Sequence, residues 1–289
     1  MVNKAAALRS LIQSQDLRFF MEAHNGLSAR IAEESGFEAL WASGLAISAS
    51  MGLSDRNEAS WTQVLDVVDF MVDSTRIPIL LDGDTGFGNF NNVRRLVRKL
   101  SQRNVAGVCL EDKRFPKANS FVSAGQDLVS PEEFCGKLRA AKDSQHSDDF
   151  CLVARTEALI SGAGMAQALE RAHAYREAGA DAILVHSRQT DGEEILEFCR
   201  QWQRSAPVII VPTRYYRTPT PLFRAAGVSC VIWANHSLRA SISAMRQVTL
   251  QIRQQESVAQ IEPRIATLND VFHLTNEFEV QAAEQKYLA

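Results

Sequence analysis

The stretch LLDGDTGFGN, residues 80–89, ends an apolar run with two aspartates and then continues through two glycines. The run over residues 77–82 has the length and apolar content of a buried strand. Asp82 and Asp84 lie two positions apart at its end, and two ionised carboxylates in a buried place repel each other. The stretch therefore predicts a strand that leads into a charged site, where a positive partner joins the acids. Gly86 and Gly88 would let the backbone bend sharply around that site.

Short apolar runs followed by helical patterns recur along the chain. The eight predicted strands span residues 17–22, 39–43, 77–82, 107–111, 151–155, 182–186, 208–212 and 228–234. Gly36, Asn104, Gly179 and Gly227 each precede a strand, where a residue in the left-handed conformation often ends a helix. Eight strand–helix units predict an α/β fold, a (β/α)₈ barrel of the TIM type. A doubly wound open sheet is the alternative, but EAHNGLSA after the first strand lacks the GxGxxG phosphate turn.

The sequence after the eighth predicted strand holds more helix than one barrel unit needs. SLRASISAMRQVTLQIRQQ and residues 267–287 both have helical patterns. Because surplus terminal helices often dock on a neighbouring subunit, we expect a homo-oligomer. No low-complexity linker interrupts the chain, so residues 1–289 are expected to form a single barrel domain whose C-terminal helices make oligomer contacts.

Composition excludes several classes of function. The 289 residues carry a formal net charge of -3, so no overall field attracts nucleic acid or a membrane surface. The N-terminal segment lacks the apolar core of a signal peptide, and no apolar run reaches the roughly 20 residues of a membrane span. Five cysteines without CxxC spacing indicate reduced, buried thiols rather than a zinc site or disulfides. We therefore expect a cytoplasmic protein that binds neither nucleic acid nor a membrane.

Polar groups cluster where the predicted strands end, which is where TIM barrels place their chemistry. Asp82, Asp84 and Glu111 follow the third and fourth strands and are expected to lie within a few ångströms of one another. Oxygen ligands of this kind favour Mg²⁺, with Mn²⁺ possible. The alternative is that these acids cap helices or pair with Lys113 and Arg114.

Arg155 closes the predicted fifth strand, CLVAR, and is expected to point into the same rim. Its planar guanidinium can bind a small anionic substrate through two parallel hydrogen bonds. The alternative is a simple salt bridge to Glu157 at the strand end.

Long ordered motifs carry a family resemblance. The segments EAHNGLSARI, WASGLAISAS, SDRNEASWTQV, LLDGDTGFGNFNNVRRLVRKL, CLEDKRFPKANS, LVARTEALISG, ADAILVHSR and VIWANHSLRAS resemble the isocitrate lyase and phosphoenolpyruvate mutase superfamily, and within it the phosphoenolpyruvate mutase family. The resemblance runs from about residue 17 to residue 287. It implies interconversion of phosphoenolpyruvate and phosphonopyruvate, the C–P bond-forming step of phosphonate biosynthesis. It also implies Mg²⁺, a barrel whose eighth helix is exchanged between paired subunits, and a dimer of dimers.

The resemblance implies roles for individual residues. Asp82 would touch the metal directly, while Asp55, Asp84 and Glu111 would hold its waters. The catalytic group would be Asp55, Lys117, Asn119, Arg155 and His186. The substrate-binding group would be Trp41, Ser43, Gly44, Leu45, Ser120 and Asn235, with backbone N–H groups of residues 43–45 as donors to substrate oxygens.

The segment Lys117-Ala118-Asn119-Ser120 separates activities within the superfamily. Lyases that split C–C bonds resemble it but have K-[KR]-C-G-H, and without that cysteine the lyase route loses its acid–base group. Phosphonopyruvate hydrolase, the alternative function, has threonine where this chain has Asn119, so Asn119 favours the mutase. The loop that continues through VSAGQDLVSPEEF, with Gly125, is expected to act as a mobile gate, and the alternative is a loop that is simply solvated. A catalytically silent barrel used as a scaffold is a further alternative, although every metal-site acid and Arg155 are present.

Overall fold

A computed structural model describes residues 3–122 and 127–288, and in it eight parallel strands close into a barrel. The strands are β1 (Arg18–Ala23), β2 (Ala39–Ala42), β3 (Ile79–Asp82), β4 (Gly107–Glu111), β5 (Cys151–Thr156), β6 (Ala182–Val185), β7 (Val208–Ile210) and β8 (Cys230–Trp233). Each pairs in parallel with the next, and β8 pairs with β1. The predicted barrel is confirmed, with strand ends correct to within a residue or two.

Helices follow the strands in the alternating order that a barrel requires. They are α1 (Lys4–Ile12), α2 (Gly26–Glu34), α3 (Gly44–Ser50), α4 (Trp61–Ser74), α5 (Phe90–Gln102), α6 (Pro131–Lys142), α7 (Ala158–Ser161), α8 (Gly164–Glu177), α9 (Glu193–Trp202), α10 (Thr220–Ala225), α11 (His236–Gln255), α12 (Leu268–Leu274) and α13 (Glu277–Tyr287). Gly36, Asn104, Gly179 and Gly227 all have positive φ, which confirms the predicted turns into the next strand.

Strand residues are buried on both faces, which is why the strands read as continuous apolar runs. In β2, Trp41 belongs to the cluster of side chains inside the barrel, whereas Leu40 packs with the surrounding helices. Helix α1 adds Leu8 and Ile12 to the interior cluster. It lies at the N-terminal ends of the strands, because Ser229, just before β8, donates its hydroxyl to the Ile12 carbonyl. The interior is therefore filled, and α1 covers the end opposite to the strand C-termini.

Strand register decides which side chains meet at the rim. Glu111 at the end of β4 pairs directly with Arg155 of β5, and Asp82 at the end of β3 pairs with Cys109 of β4. Since neighbouring strands are about 4.8 Å apart, these residues are held together by the sheet itself. The barrel thus brings acids and a guanidinium to one edge before any loop is considered.

Chain contacts group into two compact units, Met1–Asn235 and His236–Ala289. The first unit is the barrel. The second contains α11 to α13, and among its described residues only Leu238 and Ile261 are buried apolar side chains. That residues 1–289 act as one domain stays a prediction. All five cysteines are free and buried, as the sequence predicted. In the described residues, no helix combines the length and the apolar content needed to span a membrane.

Candidate active site

A cavity of about 530 Å³, counting its open mouth, lies at the C-terminal ends of the strands. Almost every site residue predicted from the sequence lines it: Trp41, Ser43, Leu45, Asp55, Asp82, Glu111, Lys117, Asn119, Ser120, Arg155, His186 and Asn235. Gly44 and Asp84 lie just behind this lining. The structure therefore brings together residues in or just after six strands, β2 to β6 and β8, with Asp55 and the long segment after β4, although they are far apart in sequence.

Asp82 and Asp84, the two aspartates of residues 80–89, both approach Gly44. A β-carbon built at Gly44 would lie 3.1 Å from Asp84 Oδ1 and 3.2 Å from Asp82 Oδ2. Gly86 has a φ of 86°, and a β-carbon there would lie 2.3 Å from Val93 Cγ2. Both glycines therefore leave room that a side chain would fill. The predicted sharp bend after the acids is confirmed at Gly86.

Lys117 supplies a positive partner for two of the acids. Its Nζ lies 2.6 Å from Asp84 Oδ1 and 2.7 Å from Asp55 Oδ1. Burial alone would lower the pKa of Lys117, but the surrounding carboxylates, Asp84 first among them, raise it well above its usual value. Burial alone would raise the pKa of Asp55, yet Lys117 holds it below its usual value. The charges of Asp55 and Asp84 are thus partly neutralised by a residue that lies far along the chain.

Arg155, Lys113 and Glu157 form a second ionic group beside the first. Arg155 Nε lies 2.5 Å from Glu157 Oε1 and 3.3 Å from Glu111 Oε2. Lys113 Nζ lies 3.0 Å from Glu157 Oε2 and 3.9 Å from Glu111 Oε1. The sequence offered cavity and salt-bridge roles for Arg155 as alternatives, and the structure shows both at once. Lys113 does pair with Glu111, whereas Arg114 pairs with Asp127 at 4.0 Å.

The acids retain negative charge that these cations do not balance. Burial, reinforced by Asp82 and Glu111 against the opposing Lys117, raises the pKa of Asp84 to about 7. Burial likewise raises the pKa of Asp82. Glu111 Oε1 is buried and accepts no hydrogen bond. No three His, Cys, Asp or Glu side chains form a ready-made metal cage within residues 3–122 and 127–288. A cation with few protein ligands and several waters fits this arrangement better than a closed cage, and that is the preference of Mg²⁺.

His186 lies between the guanidinium of Arg155 and the carboxylate of Glu157. Its Nδ1 is 2.8 Å from Arg155 Nη2 and 2.8 Å from Glu157 Oε1. Burial lowers the pKa of His186 despite the nearby Glu157, so the ring is neutral at physiological pH. A neutral Nδ1 can either donate to Glu157 or accept from Arg155, which makes this ring a switchable link between the two groups.

The backbone N–H groups of residues 43–45, predicted as donors to substrate oxygens, lie at the start of α3. The Ser43 N–H donates to the Ala23 carbonyl at 3.3 Å, and the Gly44 N–H donates to Asp82 Oδ2 at 3.3 Å. Both N–H groups therefore have an acceptor within the protein in this structure. Leu45 lies in the first turn of α3, where N–H groups lack an acceptor inside the helix, and it lines the cavity. The role of all three N–H groups as donors to the substrate stays a prediction.

Residues 117–121 are attached to the segment after α3. Asn119 Nδ2 donates to Asp55 Oδ2 at 2.7 Å, and the Lys117 N–H donates to Asn57 Oδ1 at 2.7 Å. Asn57 in turn donates from Nδ2 to Asp84 Oδ2 at 2.7 Å. These bonds place the segment at the cavity mouth. The predicted gate extends through Gly125, which lies outside the described residues.

Sequence reasoning missed Asn57, Glu157 and Thr213 as parts of the site. Thr213 lines the cavity after β7, and it could have been found from its place at a predicted strand end. Glu157 is fully buried and contacts both Arg155 and Lys113, and it appeared only as an alternative partner. Asn57 left no signal beyond its position two residues after Asp55.

The family of the chain is shown by comparison with known proteins. The family model for phosphoenolpyruvate phosphomutase matches residues 8–253. The chain belongs to this family. The phosphoenolpyruvate phosphomutase of Tetrahymena pyriformis is 56% identical over 286 residues, covering 99% of this chain and 95% of that protein.

Two solved structures are similar over essentially the whole chain. Phosphoenolpyruvate phosphomutase from Streptomyces platensis subsp. rosaceus superposes with a TM-score of 0.97 at 42% identity, covering 99% of each chain. Phosphonopyruvate hydrolase in complex with oxalate and Mg²⁺ superposes with a TM-score of 0.94 at 37% identity, covering 100% of each chain. Barrel geometry is therefore common to a mutase and a hydrolase, so the choice between them depends on individual side chains.

Proposed function

We propose that this chain is an isomerase that interconverts phosphoenolpyruvate and phosphonopyruvate by moving a phosphoryl group between oxygen and carbon. The observation that carries the proposal is Asn119, which lines the cavity and donates to Asp55. Higher identity to a mutase than to the hydrolase points the same way. No lyase cysteine stands at this position, and burial raises the pKa of Cys109, the cysteine nearest to Asp82, well above its usual value.

The reaction needs two things from the protein. It needs a cationic grip on the carboxylate and enolate oxygens of pyruvate, and it needs a place where a metaphosphate-like group is held away from water. Arg155 lines the cavity, with its Nε held by carboxylates and its Nη2 in contact with Ser120 and His186, and we assign its Nη1 N–H groups to the anionic end of the substrate. Ser120 Oγ lies 3.2 Å from Arg155 Nη2 and supports the same end.

The phosphoryl group would lie at the opposite side, against Lys117, Asn119 and Asp55. Lys117 and the Asn119 amide donate to phosphoryl oxygens, and neither residue supplies a nucleophile. Asp55 orients these donors through its two carboxylate oxygens. Phe121 packs edge-on against His186 at 5.2 Å between ring centroids and limits water at the mouth.

A divalent cation completes the site in this proposal. Asp82 would hold Mg²⁺, or Mn²⁺ in its place, with Asp84, Glu111 and Asp55 bound to its waters. When bound, the ion supplies positive charge where the enolate oxygen develops negative charge. The uncompensated acids described above support this assignment, and so does the Mg²⁺ bound by the related hydrolase.

Phosphorus NMR of the product mixture tests the reaction. Phosphonopyruvate incubated with the purified protein and Mg²⁺ is expected to give phosphoenolpyruvate with little inorganic phosphate, because a held phosphoryl group meets the enolate carbon or oxygen before water. A heat-inactivated sample controls for spontaneous decay. If inorganic phosphate and pyruvate are the main products from the start, the hydrolase alternative replaces the mutase.

We also infer a cytoplasmic enzyme that assembles as a dimer of dimers through its C-terminal helices, with an exchanged eighth helix. Free buried cysteines support the reducing compartment. Large apolar side chains are exposed on the second unit, among them Met245, Leu250, Leu268 and Phe272. Exposed apolar surface of this kind is typical of subunit interfaces.

Sedimentation equilibrium of the full chain is expected to give a mass near four times 32.0 kDa. Met245→Glu together with Leu250→Glu should shift the population towards smaller species, because charges would then be buried at the interface. Arg253→Glu, an exposed change on the same helix, is the control for altered surface charge alone. A monomeric wild-type protein at micromolar concentration would contradict the proposed assembly.

A further inference from the structure

A buried polar network stands behind the candidate active site, on the side away from the cavity. Asp112 follows Glu111 and is fully buried. Its Oδ2 accepts from Tyr175 Oη at 2.7 Å and from Arg171 Nη1 at 3.2 Å, and Arg171 Nη1 also lies 2.9 Å from Tyr175 Oη. Tyr175 is fully buried and Arg171 nearly so, both on helix α8. The three side chains line no part of the cavity within the described residues.

Asp112 holds the backbone of Glu157 in place. Its Oδ1 accepts from the Glu157 N–H at 2.9 Å, and its own N–H donates to the Arg155 carbonyl at 3.2 Å. Glu157 stands at the start of α7 without a side-chain cap, so this bond supplies the acceptor that the helix start lacks. The Glu157 backbone is therefore positioned from Asp112 rather than by its own helix.

The carboxylate of Glu157 contacts four side chains that line the cavity. Its Oε1 contacts Arg155 Nε and His186 Nδ1, at 2.5 and 2.8 Å. Its Oε2 contacts Lys113 Nζ and accepts from Ser120 Oγ, at 3.0 and 2.8 Å. A small rotation of this carboxylate would move a guanidinium, a ring, an ammonium and a hydroxyl together.

The same network holds the far end of the segment that follows β4. The Asp112 carbonyl accepts from the Val129 N–H at 2.9 Å, and Arg171 Nη1 donates to the Val129 carbonyl at 3.0 Å. Leu128 forms an antiparallel bridge with Lys113. The two ends of the segment are thus joined where Asp112 and Arg171 meet it.

We propose that Asp112, Arg171 and Tyr175 are positioning residues that fix Glu157, and with it Arg155 and His186, and that hold the base of the segment covering the cavity. Three sets of hydrogen bonds support this role. Asp112 Oδ1 accepts from the Glu157 N–H, and Asp112 Oδ2 accepts from both Arg171 and Tyr175. Val129 bonds through its N–H to the Asp112 carbonyl and through its carbonyl to Arg171. None of the three residues touches the substrate space, so their effect on the reaction is indirect.

Tyr175→Phe is the sharpest test, because it removes one hydroxyl and keeps the ring that packs edge-on against Phe134 at 4.6 Å. We expect kcat to fall on the order of 10-fold with KM nearly unchanged, as when a group that holds an active-site residue from behind is lost. Hydrogen exchange of peptides covering residues 113–122 and 155–162 should become about 3- to 10-fold faster, the scale of one buried hydrogen bond.

Tyr215→Phe is the matched control. Tyr215 is also fully buried and edge-on to a phenylalanine, Phe223, but its hydroxyl bonds to no side chain among the described residues. It should change neither kcat nor exchange in those two peptides. Asp112→Asn is the second variant and should exceed Tyr175→Phe in both readouts, because its NH2 group faces a donor in either orientation: Arg171 and Tyr175 in one, the Glu157 N–H in the other.

Each outcome decides the proposal. Faster exchange confined to the two peptides, with the kcat loss, supports it. Unchanged exchange in the two peptides overturns it, and so does faster exchange spread equally to residues 208–214, which would indicate general destabilisation. The kinetic readout rests on the proposed function, whereas the exchange readout does not. A protein without mutase activity that still shows the local exchange change would therefore refute the reaction and keep the network.

Discussion

Asp82→Ala is expected to lower turnover by more than about 10³-fold, beyond the usual cost of a single hydrogen-bond donor. Asp82 stands at the end of β3, and it is the residue proposed to hold the metal directly. Without it, the charge that develops on the enolate oxygen has no cation beside it. The fold should survive, because burial already raises the pKa of Asp82 and its loss removes an unfavourable charge.

Chelation of the metal should cause the same loss of turnover in the unmodified protein. Excess EDTA is expected to abolish turnover, and added Mg²⁺ should restore it in the wild type but not in Asp82→Ala. Circular dichroism melting is the accompanying measurement, and the variant should melt within a few degrees of the wild type. Asp16→Ala removes a carboxylate whose side chain is 86% exposed and should leave both quantities unchanged. Full activity in excess chelator would contradict the proposed metal site.

Asn119→Asp is expected to lower mutase turnover by about 10²-fold, the scale of losing one transition-state donor. Asparagine donates its amide hydrogens, whereas aspartate only accepts and would face both Asp55 and the phosphoryl oxygens with like charge. The substitution is nearly isosteric and retains the oxygen that accepts from the Phe121 N–H at 3.0 Å. A loss would therefore reflect the missing donor together with the added negative charge, and not the local turn.

Asn119→Ala and Asn119→Thr complete the series. Alanine should lose as much turnover as aspartate, while threonine should raise the share of inorganic phosphate, because its hydroxyl can seat a water beside the phosphoryl group. Asn91→Ala, an exposed change in α5, serves as the control. Phosphorus NMR measures rate and product ratio together. If Asn119→Asp retains wild-type turnover, the residue has no part in holding the phosphoryl group.

The barrel and the acids could be predicted from sequence because their signals are local. A strand buried on both faces shows as an apolar run, and the residue after it is read directly from the chain. Asp82, Glu111 and Arg155 were found in this way, since strand ends in a barrel share one rim. Left-handed turns at Gly179 and Gly227 are equally local, because few residues adopt that conformation without strain.

Other parts of the site depend on contacts between distant residues and carry no such signal. Lys117 reaches Asp84 only because the segment after β4 crosses the cavity mouth and bonds to Asn57. The Gly44 N–H is directed at Asp82 by the orientation of a carboxylate, which sequence does not state. Likewise, the link from Tyr175 to Asp112 joins two residues that are separated by 63 positions.

Helix α1 and the filled barrel interior have a kinetic consequence. Trp41 and its neighbours occupy the axis, and Leu8 and Ile12 close the far end, so the described residues leave no passage along the barrel axis. The cavity lies at the C-terminal ends of the strands, and residues 117–121 line it there. If these residues move aside for substrate to enter and again for product to leave, the rate of that movement sets an upper limit on turnover that the chemistry cannot exceed.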